Sequence, residues 1–144
     1  GLHMHVVGGD SAMLADLASR FPSVRWTQFE PPPNVLRDIA AQEAIVRSVV
    51  AEGADVTFMA IGAPQSELVC YRIVQAGGAR GVALCIGASL EFVTGRKQRA
   101  PVFMQRISME WLFRLLSEPR RLWRRYLIVA PRIFRIWNRW NCAR

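Results

Sequence analysis

The sequence contains almost no lysine, and its acidic residues are nearly absent from its last third. Only one of the 19 basic residues is lysine, and the other 18 are arginine. Residues 96–144 hold 13 basic and 2 acidic residues (+11), whereas residues 1–95 hold 6 basic and 9 acidic residues (−3), which sum to +8. A near-neutral body followed by a basic tail indicates an anionic partner. Arginine can bind a phosphate through two parallel hydrogen bonds, which lysine cannot do.

Cysteine is scarce, and long apolar runs are missing. The three cysteines, Cys70, Cys85 and Cys142, lack CxxC spacing, which argues against a disulfide framework or a cysteine-held metal and fits a reducing cytoplasm. No apolar run approaches the roughly 20 residues of a spanning helix, and no secretory signal is recognisable. His3 and His5 form an HxH pattern without further ligands nearby, which favours strand alternation over a metal site. We expect neither a metal nor a cofactor.

Strand-like and helix-like patterns alternate over residues 1–98. Two runs, 55–62 and 81–88, are nearly all apolar, which predicts strands buried on both faces. The alternation predicts an α/β fold with a Rossmann-like parallel sheet and flanking helices. The predicted strands are His3–Gly9, Val24–Phe29, Asp55–Gly62 and Gly81–Ala88, and the predicted helices begin at Asp10 or Ser11, run from Val35 to Ala51, and follow the loop GAPQSE to about Gly77.

Small residues follow three of the predicted strands. They are Gly8-Gly9-Asp10, Gly62-Ala63-Pro64 and Gly87-Ala88-Ser89. Ligands of parallel sheets bind at the carboxyl ends of the strands, where small residues let a ligand approach the backbone. The helix start after the first strand is also a candidate phosphate site. This pattern favours a nucleotide or nucleotide-sugar site, with simple turns as the alternative.

Prolines at positions 101, 119 and 131 divide residues 99–144 into three predicted helices. Each combines an apolar, aromatic stripe with arginines outside it, which is typical of helices that lie at a membrane interface. Pro119 is well placed in the first turn of its helix. The apolar stripe of the first of these helices predicts that this helix packs on residues 1–98. For the last helix a membrane surface and a protein partner are equally favoured, and nucleic acid is the third possibility.

The segment RAPVFMQRISMEWLFRLLSEPRRLWRRY, residues 99–126, resembles the signature of the WecG/TagA/CpsF bacterial glycosyltransferases. Upstream, VVGGD, MAIGAPQSE and IGASLEFVTG follow in the family's order and spacing, so the resemblance extends over nearly the whole chain to about Tyr126. The matching groups are Arg99-Ala100-Pro101, Phe103-Met104-Gln105, Glu110-Trp111, Arg114-Leu115 and Glu118-Pro119-Arg120-Arg121.

The resemblance implies an inverting transfer of a sugar, of the N-acetylmannosamine type or a relative, from a UDP-sugar. The implied acceptor is an undecaprenyl-diphosphate-linked sugar at the inner face of the cytoplasmic membrane, in teichoic acid or other cell-surface polysaccharide synthesis. The family's general base is implied to lie in a segment before VVGGD. No catalytic residue is therefore assigned here, with Asp10 as the local alternative, and this chain alone is expected to be inactive.

The resemblance and the strand ends together select candidate site residues. Arg114, Arg121 and Arg124, spaced by seven and ten residues, are expected on one side of a continuous helix, placed to stabilise a departing diphosphate. Ser66 stands where the family has glutamine and Glu91 where it has aspartate, so restoring glutamine at 66 is expected to strengthen donor binding. The substrate-binding candidates are Gly8, Gly9, Gly62, Pro64, Gln65, Glu67, Glu91, Arg99, Arg114, Arg121 and Arg124, and the membrane-contact candidates are Trp123, Trp137 and Trp140.

Two domains are expected: a partial Rossmann-like glycosyltransferase domain over 1–98 and a basic helical appendage over 99–144 that covers the active site and contacts the membrane. The expected partners are the UDP-sugar, the lipid-linked diphosphate acceptor, the inner face of the cytoplasmic membrane and a further copy of the chain, without nucleic acid. The alternatives are an inactive relative that docks on a membrane or a protein, and a basic nucleic-acid binder.

Overall fold

The computed structural model describes residues 1–142, except for the side chains of Arg121, Arg125, Arg135, Asn141 and Cys142. The chain divides into two compact units, Gly1–Gln98 and Arg99–Arg144. Each unit has its own set of secondary-structure elements.

The first unit is built on a four-stranded parallel sheet. Its strands, β1 (His3–Val7), β2 (Arg25–Phe29), β3 (Val56–Met59) and β4 (Val82–Cys85), lie in the order β2-β1-β3-β4. The chain passes from β1 to β2 on one side and then crosses to β3 on the other, so the switch point of the sheet lies between β1 and β3. The predicted α/β fold with a parallel sheet is confirmed.

Helices α1 (Ser11–Arg20), α2 (Ile39–Glu52), α3 (Gln65–Ala76) and α4 (Ser89–Val93) follow the four strands and enclose two apolar cores. Successive residues of a strand point to opposite faces, and Val6 and Val7 of β1 each enter a different core. Val7 packs among residues of α2, α3 and β3, whereas Val6 packs with residues of α1 and α4. The buried members are Val7, Val35, Ile45, Val49, Met59, Val69 and Ile73 in one core, and Val6, Met13, Leu17 and Leu90 in the other.

Aspartates define where the first two helices begin. The Asp10 carboxylate accepts a hydrogen bond from the Met13 amide (2.7 Å), and the start predicted for α1 is confirmed. The prediction for α2 is wrong by four residues: the helix begins at Ile39, because Asp38 caps it by accepting from the Ala41 amide (3.0 Å). The buried Gln42 side chain donates to the carbonyls of Val35 (2.7 Å) and Leu36 (3.2 Å) in the preceding turn, outside the helix; Val35 is buried in the core, whereas Leu36 is exposed.

The edge strand β4 departs most from its predicted burial. Its apolar sequence predicted a strand buried on both faces, yet all four residues are exposed, with Val82 at 58% and Leu84 at 42%. Within the described residues β4 pairs only with β3 and ends the sheet. Position in the sheet, rather than apolar composition, therefore sets its burial.

The second unit is helical but more interrupted than predicted. Its helices are α5 (Val102–Arg106), α6 (Glu110–Ser117), α7 (Pro119–Trp123), a π-helical turn (Arg124–Val129) and α8 (Arg132–Cys142). Ser108, with φ 58°, separates α5 from α6. Pro119 occupies the first turn of α7, as predicted.

The chain leaves helical geometry at Glu118, where φ is −132° and ψ is 60°. Arg114 on α6 and Arg124 at the start of the π-helical turn therefore do not share a continuous helix. The prediction that one continuous helix carries them is wrong. None of the described helices has the length and apolar character needed to cross a membrane.

A polar network lies at the amino end of β1. The buried His5 ring contacts the Thr27 hydroxyl through Nδ1 (2.8 Å) and the Ser48 hydroxyl through Nε2 (3.1 Å). His3, two residues earlier, contacts Thr27 at 3.1 Å and the Glu52 carboxylate at 3.5 Å. A neutral imidazole satisfies both hydroxyl contacts of His5, so the HxH pattern joins β1 to β2 and α2.

Acidification is expected to weaken the fold through His5. Burial lowers the pKa of His5 below 6.5, although Glu52 acts in the opposite direction. The unfolded chain therefore binds a proton more readily, so the free energy of unfolding is at its full value above pH 6.5 and falls as the pH drops below it. Denaturant unfolding between about pH 5 and pH 8 measures this dependence. His5→Gln should flatten it, whereas His3→Gln should preserve most of it, because burial rather than the neighbouring His3 is the largest cause of the lowered pKa of His5. Equal pH dependence in the parent and His5→Gln would contradict the assignment.

Candidate functional site

The carboxyl ends of β1, β3 and β4 lie side by side at the switch point of the sheet, where parallel sheets bind ligands in a crevice between the strand-end loops. These strands are neighbours, and the loops that begin at Gly8, Ala60 and Ile86 leave the sheet side by side. Seven of the sequence-predicted binding residues follow these strand ends. They are Gly8, Gly9, Gly62, Pro64, Gln65, Glu67 and Glu91.

Gly8 brings the end of β1 against the end of β3. Its φ is +102°, and a Cβ at this position would lie 3.1 Å from the Ala60 carbonyl carbon and 3.1 Å from Ile61 Cγ2. Its amide donates to the Phe29 carbonyl (2.9 Å), and its own carbonyl accepts from the Gln28 side chain (2.9 Å). The close approach and the backbone geometry both require glycine. The loop after β1 is thus held in one conformation.

The start of α3 lies against the carboxyl end of β3. Gln65 Nε2 donates to the Ile61 carbonyl (3.2 Å), and Glu67 is exposed in the first turn. Ser66 is only 1% exposed, and its hydroxyl donates to the Gly62 carbonyl (3.1 Å) and the Met59 carbonyl (3.4 Å). Gln65 is therefore the amide side chain at the crevice, whereas position 66 faces inward, which argues against the expectation that glutamine at 66 would strengthen donor binding.

Arg96, which the sequence analysis did not select, forms ion pairs with two aspartates at the start and in the middle of α1. Arg96 Nη1 lies 2.6 Å from Asp10 Oδ1, and Arg96 Nε lies 3.2 Å from Asp16 Oδ2. The Met13 amide, and then Arg96, lower the pKa of Asp10 below its ordinary value. An anion at the start of α1 would meet this carboxylate, so the arrangement argues against a phosphate there. Arg96 was missed because it lies 86 residues after Asp10, and no local pattern connects the two.

Glu91, which follows β4, also forms an ion pair. The Lys97 ammonium lies 2.6 Å from Glu91 Oε2, and the Lys97 amide donates to the Glu91 carbonyl (3.0 Å). Arg20 donates to the carbonyls of Val93 (2.9 Å) and Thr94 (3.2 Å), which joins α1 to the end of α4. Glu91 therefore holds the segment after α4 in place as well as lying near the end of β4.

The remaining candidates lie in the second unit. Arg99 precedes α5 and is exposed, Arg114 pairs with Glu110 one turn earlier (2.9 Å), and Arg124 is exposed at the start of the π-helical turn. The side chain of Arg121 lies outside the described residues. The three candidate membrane-contact tryptophans, Trp123, Trp137 and Trp140, are all exposed.

The strand-end loops present backbone groups and the Gln65 amide beside carboxylates that are engaged by Arg96 and Lys97. In the described part of the chain, no three His, Cys, Asp or Glu side chains are grouped closely enough to hold a metal ion.

The family model described as "Glycosyl transferase WecG/TagA/CpsF family" matches residues 1–144. This match confirms the family that the sequence resembles.

Proposed function

This chain belongs to the WecG/TagA/CpsF glycosyltransferase family, and we propose that it binds a UDP-sugar for transfer to an undecaprenyl-diphosphate-linked acceptor. Family membership supports sugar transfer in cell-surface polysaccharide synthesis in general. The observation that carries the finer proposal is the strand order, which puts the ends of β1 and β3 at the switch point, where parallel sheets bind nucleotides. In this proposal the sugar is of the N-acetylmannosamine type or a relative, and the transfer is inverting.

The start of α3 is the proposed position of the donor diphosphate. No side chain of the described residues caps this helix, so its positive dipole end meets an anion without competition from a capping side-chain oxygen. The Ser66 amide already donates to the Gly62 carbonyl (3.0 Å), and Glu67 lies in the same first turn, so the site is expected to bind a diphosphate weakly. The start of α1, in contrast, is occupied by the Asp10 carboxylate. Gln65 lies beside the proposed position and Gly62 precedes it. For the arginine candidates of the second unit, Arg99, Arg114, Arg121 and Arg124, we propose binding of substrate phosphate, because guanidinium groups neutralise charge that develops on phosphate.

The general base is proposed to be neither Asp10 nor Glu91, the two carboxylates near these strand ends that other side chains already engage. A base acting near neutral pH needs a raised pKa, whereas the Met13 amide and Arg96 lower the pKa of Asp10. Glu91 is engaged by Lys97. We therefore expect negligible turnover from this chain alone. A transferase assay with UDP-sugar and a lipid-diphosphate acceptor tests this, and turnover that Asp10→Asn abolishes would overturn it.

Donor binding is tested by titrating UDP into the protein in a calorimeter. Weak, saturable binding is expected, with uridine binding less well because it lacks the diphosphate. Gln65→Ala should weaken UDP binding by roughly threefold to tenfold, the worth of about one hydrogen bond. Gln75→Ala, an exposed glutamine near the other end of α3, is the matched control and should leave the affinity unchanged. No saturable UDP binding, or equal effects of the two variants, would contradict the proposed site.

The second unit supports a peripheral position on the inner face of the cytoplasmic membrane. In α8, apolar residues recur at i, i+3, i+4 and i+7, which places them on one side of the helix, and Arg132 and Arg139 fall outside that stripe. Trp137 and Trp140 are 62% and 71% exposed. The stripe consists of Ile133, Ile136, Trp137 and Trp140, with Phe134 beside it. A basic amphipathic helix with exposed aromatic residues is suited to lie in the headgroup region.

The protein is expected to co-sediment with anionic vesicles more strongly than with zwitterionic ones. Each arginine near the surface contributes about 1 kcal/mol to attraction for an anionic leaflet, while apolar burial adds a part that salt does not screen. The double variant Trp137→Ser, Trp140→Ser should lose the salt-resistant part. The double variant Arg132→Gln, Arg139→Gln is the matched control and should lose only salt-sensitive binding.

Two results would contradict the membrane proposal. One is sedimentation of the tryptophan variant equal to that of the parent. The other is absence of vesicle binding together with nucleic-acid binding that falls steeply with salt, which would favour the nucleic-acid alternative.

A further inference from the structure

Two thiols from different elements meet beside the edge of the sheet. Cys70 lies in α3, Cys85 is the last residue of β4, and their sulfur atoms are 3.6 Å apart. A disulfide has an S–S length of about 2.05 Å, so this is a reduced pair in contact. Rotation of the two side chains is the main movement that bond formation requires, because α3 already packs against β4.

The pair is accessible to a small oxidant. Cys85 is exposed and Cys70 is partly buried. Both line a groove of about 570 Å³ between α3 and β4, together with Ile73, Val74 and Gly81. Reagents of the size of a tripeptide can therefore reach the outer sulfur from solvent.

The two thiols differ in reactivity. Burial, followed by the hydrogen bond with Cys85, raises the pKa of the Cys70 thiol to about 12. Because the thiolate is the attacking species, Cys85 is the residue that reacts first. Cys70 is then the resolving thiol at contact distance.

We infer that Cys70 and Cys85 form a reversible intramolecular disulfide when the protein meets a low-molecular-weight disulfide such as oxidised glutathione. The Cys85 thiol loses its proton to solvent, and its thiolate attacks one sulfur of the oxidant and releases a glutathione thiolate, which takes up a proton; a mixed disulfide is left at Cys85. The Cys70 thiol loses its proton to solvent as it attacks the Cys85 sulfur and releases the second glutathione as a thiolate, which takes up a proton. Two protein thiols are oxidised, and one oxidant disulfide is reduced to two thiols.

The bond would tie an exposed edge strand of the sheet to α3. Within the described residues β4 pairs only with β3, and its side chains are exposed. The disulfide closes a loop of 15 residues between α3 and β4, which constrains the unfolded chain and adds a covalent contact for β4. In a reducing compartment such a bond forms only under oxidation and is reversed afterwards. The inference is independent of donor binding.

The experiment uses the full chain with Cys142→Ser, so that Cys70 and Cys85 are its only thiols. After incubation in glutathione buffers of rising oxidised fraction, free thiols are alkylated and the intact mass is measured. A mass lower by two hydrogens, without alkylation, and a Cys70–Cys85 cross-linked peptide are expected. The melting temperature should rise by roughly 10 °C on oxidation, and reductant should restore the starting value.

Single-thiol variants provide the controls. In the same background, Cys70→Ser should stop at a glutathione adduct on Cys85, and Cys85→Ser should react slowly or not at all. Neither should gain melting temperature on oxidation. If the parent keeps both thiols free, or accumulates a stable glutathione adduct at Cys85 in place of the cross-link, the inference is overturned.

Discussion

Gly8→Ala is expected to lower the free energy of unfolding by about 2–6 kcal/mol. A non-glycine residue at strongly positive φ costs about 1–3 kcal/mol, and φ at Gly8 is +102°. The added Cβ would also press on backbone atoms of Ala60, which cannot rotate away as a side-chain end can. Forcing a methyl group into such a contact adds about 1–3 kcal/mol. Urea denaturation at constant pH gives the difference.

Gly62→Ala is the matched control for this prediction. Gly62 also has a positive φ, +79°, but nothing lies within 4 Å of the place that its Cβ would take. Its substitution should therefore cost only the backbone preference, about 1–2 kcal/mol. Equal losses at the two positions would show that the approach of β1 to β3 tolerates a side chain, and that only backbone geometry requires glycine at position 8.

Ser66→Gln is expected to destabilise the protein by about 1–3 kcal/mol. The serine side chain is buried beneath the end of β3 and donates to the carbonyls of Met59 and Gly62. Glutamine is larger, so it would overpack this position or displace the first turn of α3. Thermal or urea unfolding measures the change, and UDP binding should weaken along with the fold.

Two comparisons isolate the effect of burial at position 66. Ser19→Gln places the same side chain on an exposed helical site in α1 and should change the free energy of unfolding by less than about 0.5 kcal/mol. Ser66→Ala removes the hydroxyl without adding volume and should cost less than Ser66→Gln. Tighter UDP binding by a stable Ser66→Gln protein would instead show that position 66 faces the donor.

Local patterns in the sequence determined the parts of this protein that depend on neighbouring residues. Asp10 before an apolar 3.6-residue period marked the start of α1, because a cap and an amphipathic stripe act within a few residues. Glycines after apolar runs marked the strand ends, and the segment from Arg99 to Tyr126 identified the family that the family model confirms. The parallel sheet followed from strand–helix alternation, since such connections favour parallel pairing.

Only the tertiary structure decided how distant segments meet. The apolar run of β4 reads as a buried strand, but the strand order places it at the edge and leaves it exposed. Ser66 and Gln65 are adjacent in the chain, yet one faces inward and the other the crevice, which depends on how α3 is set against β3. The contacts of Arg96 with Asp10 and of Cys70 with Cys85 join residues 86 and 15 positions apart. Such pairs form when whole elements pack together. Hydrophobic periodicity indicates only which face of a single element is buried, so it does not predict these pairs.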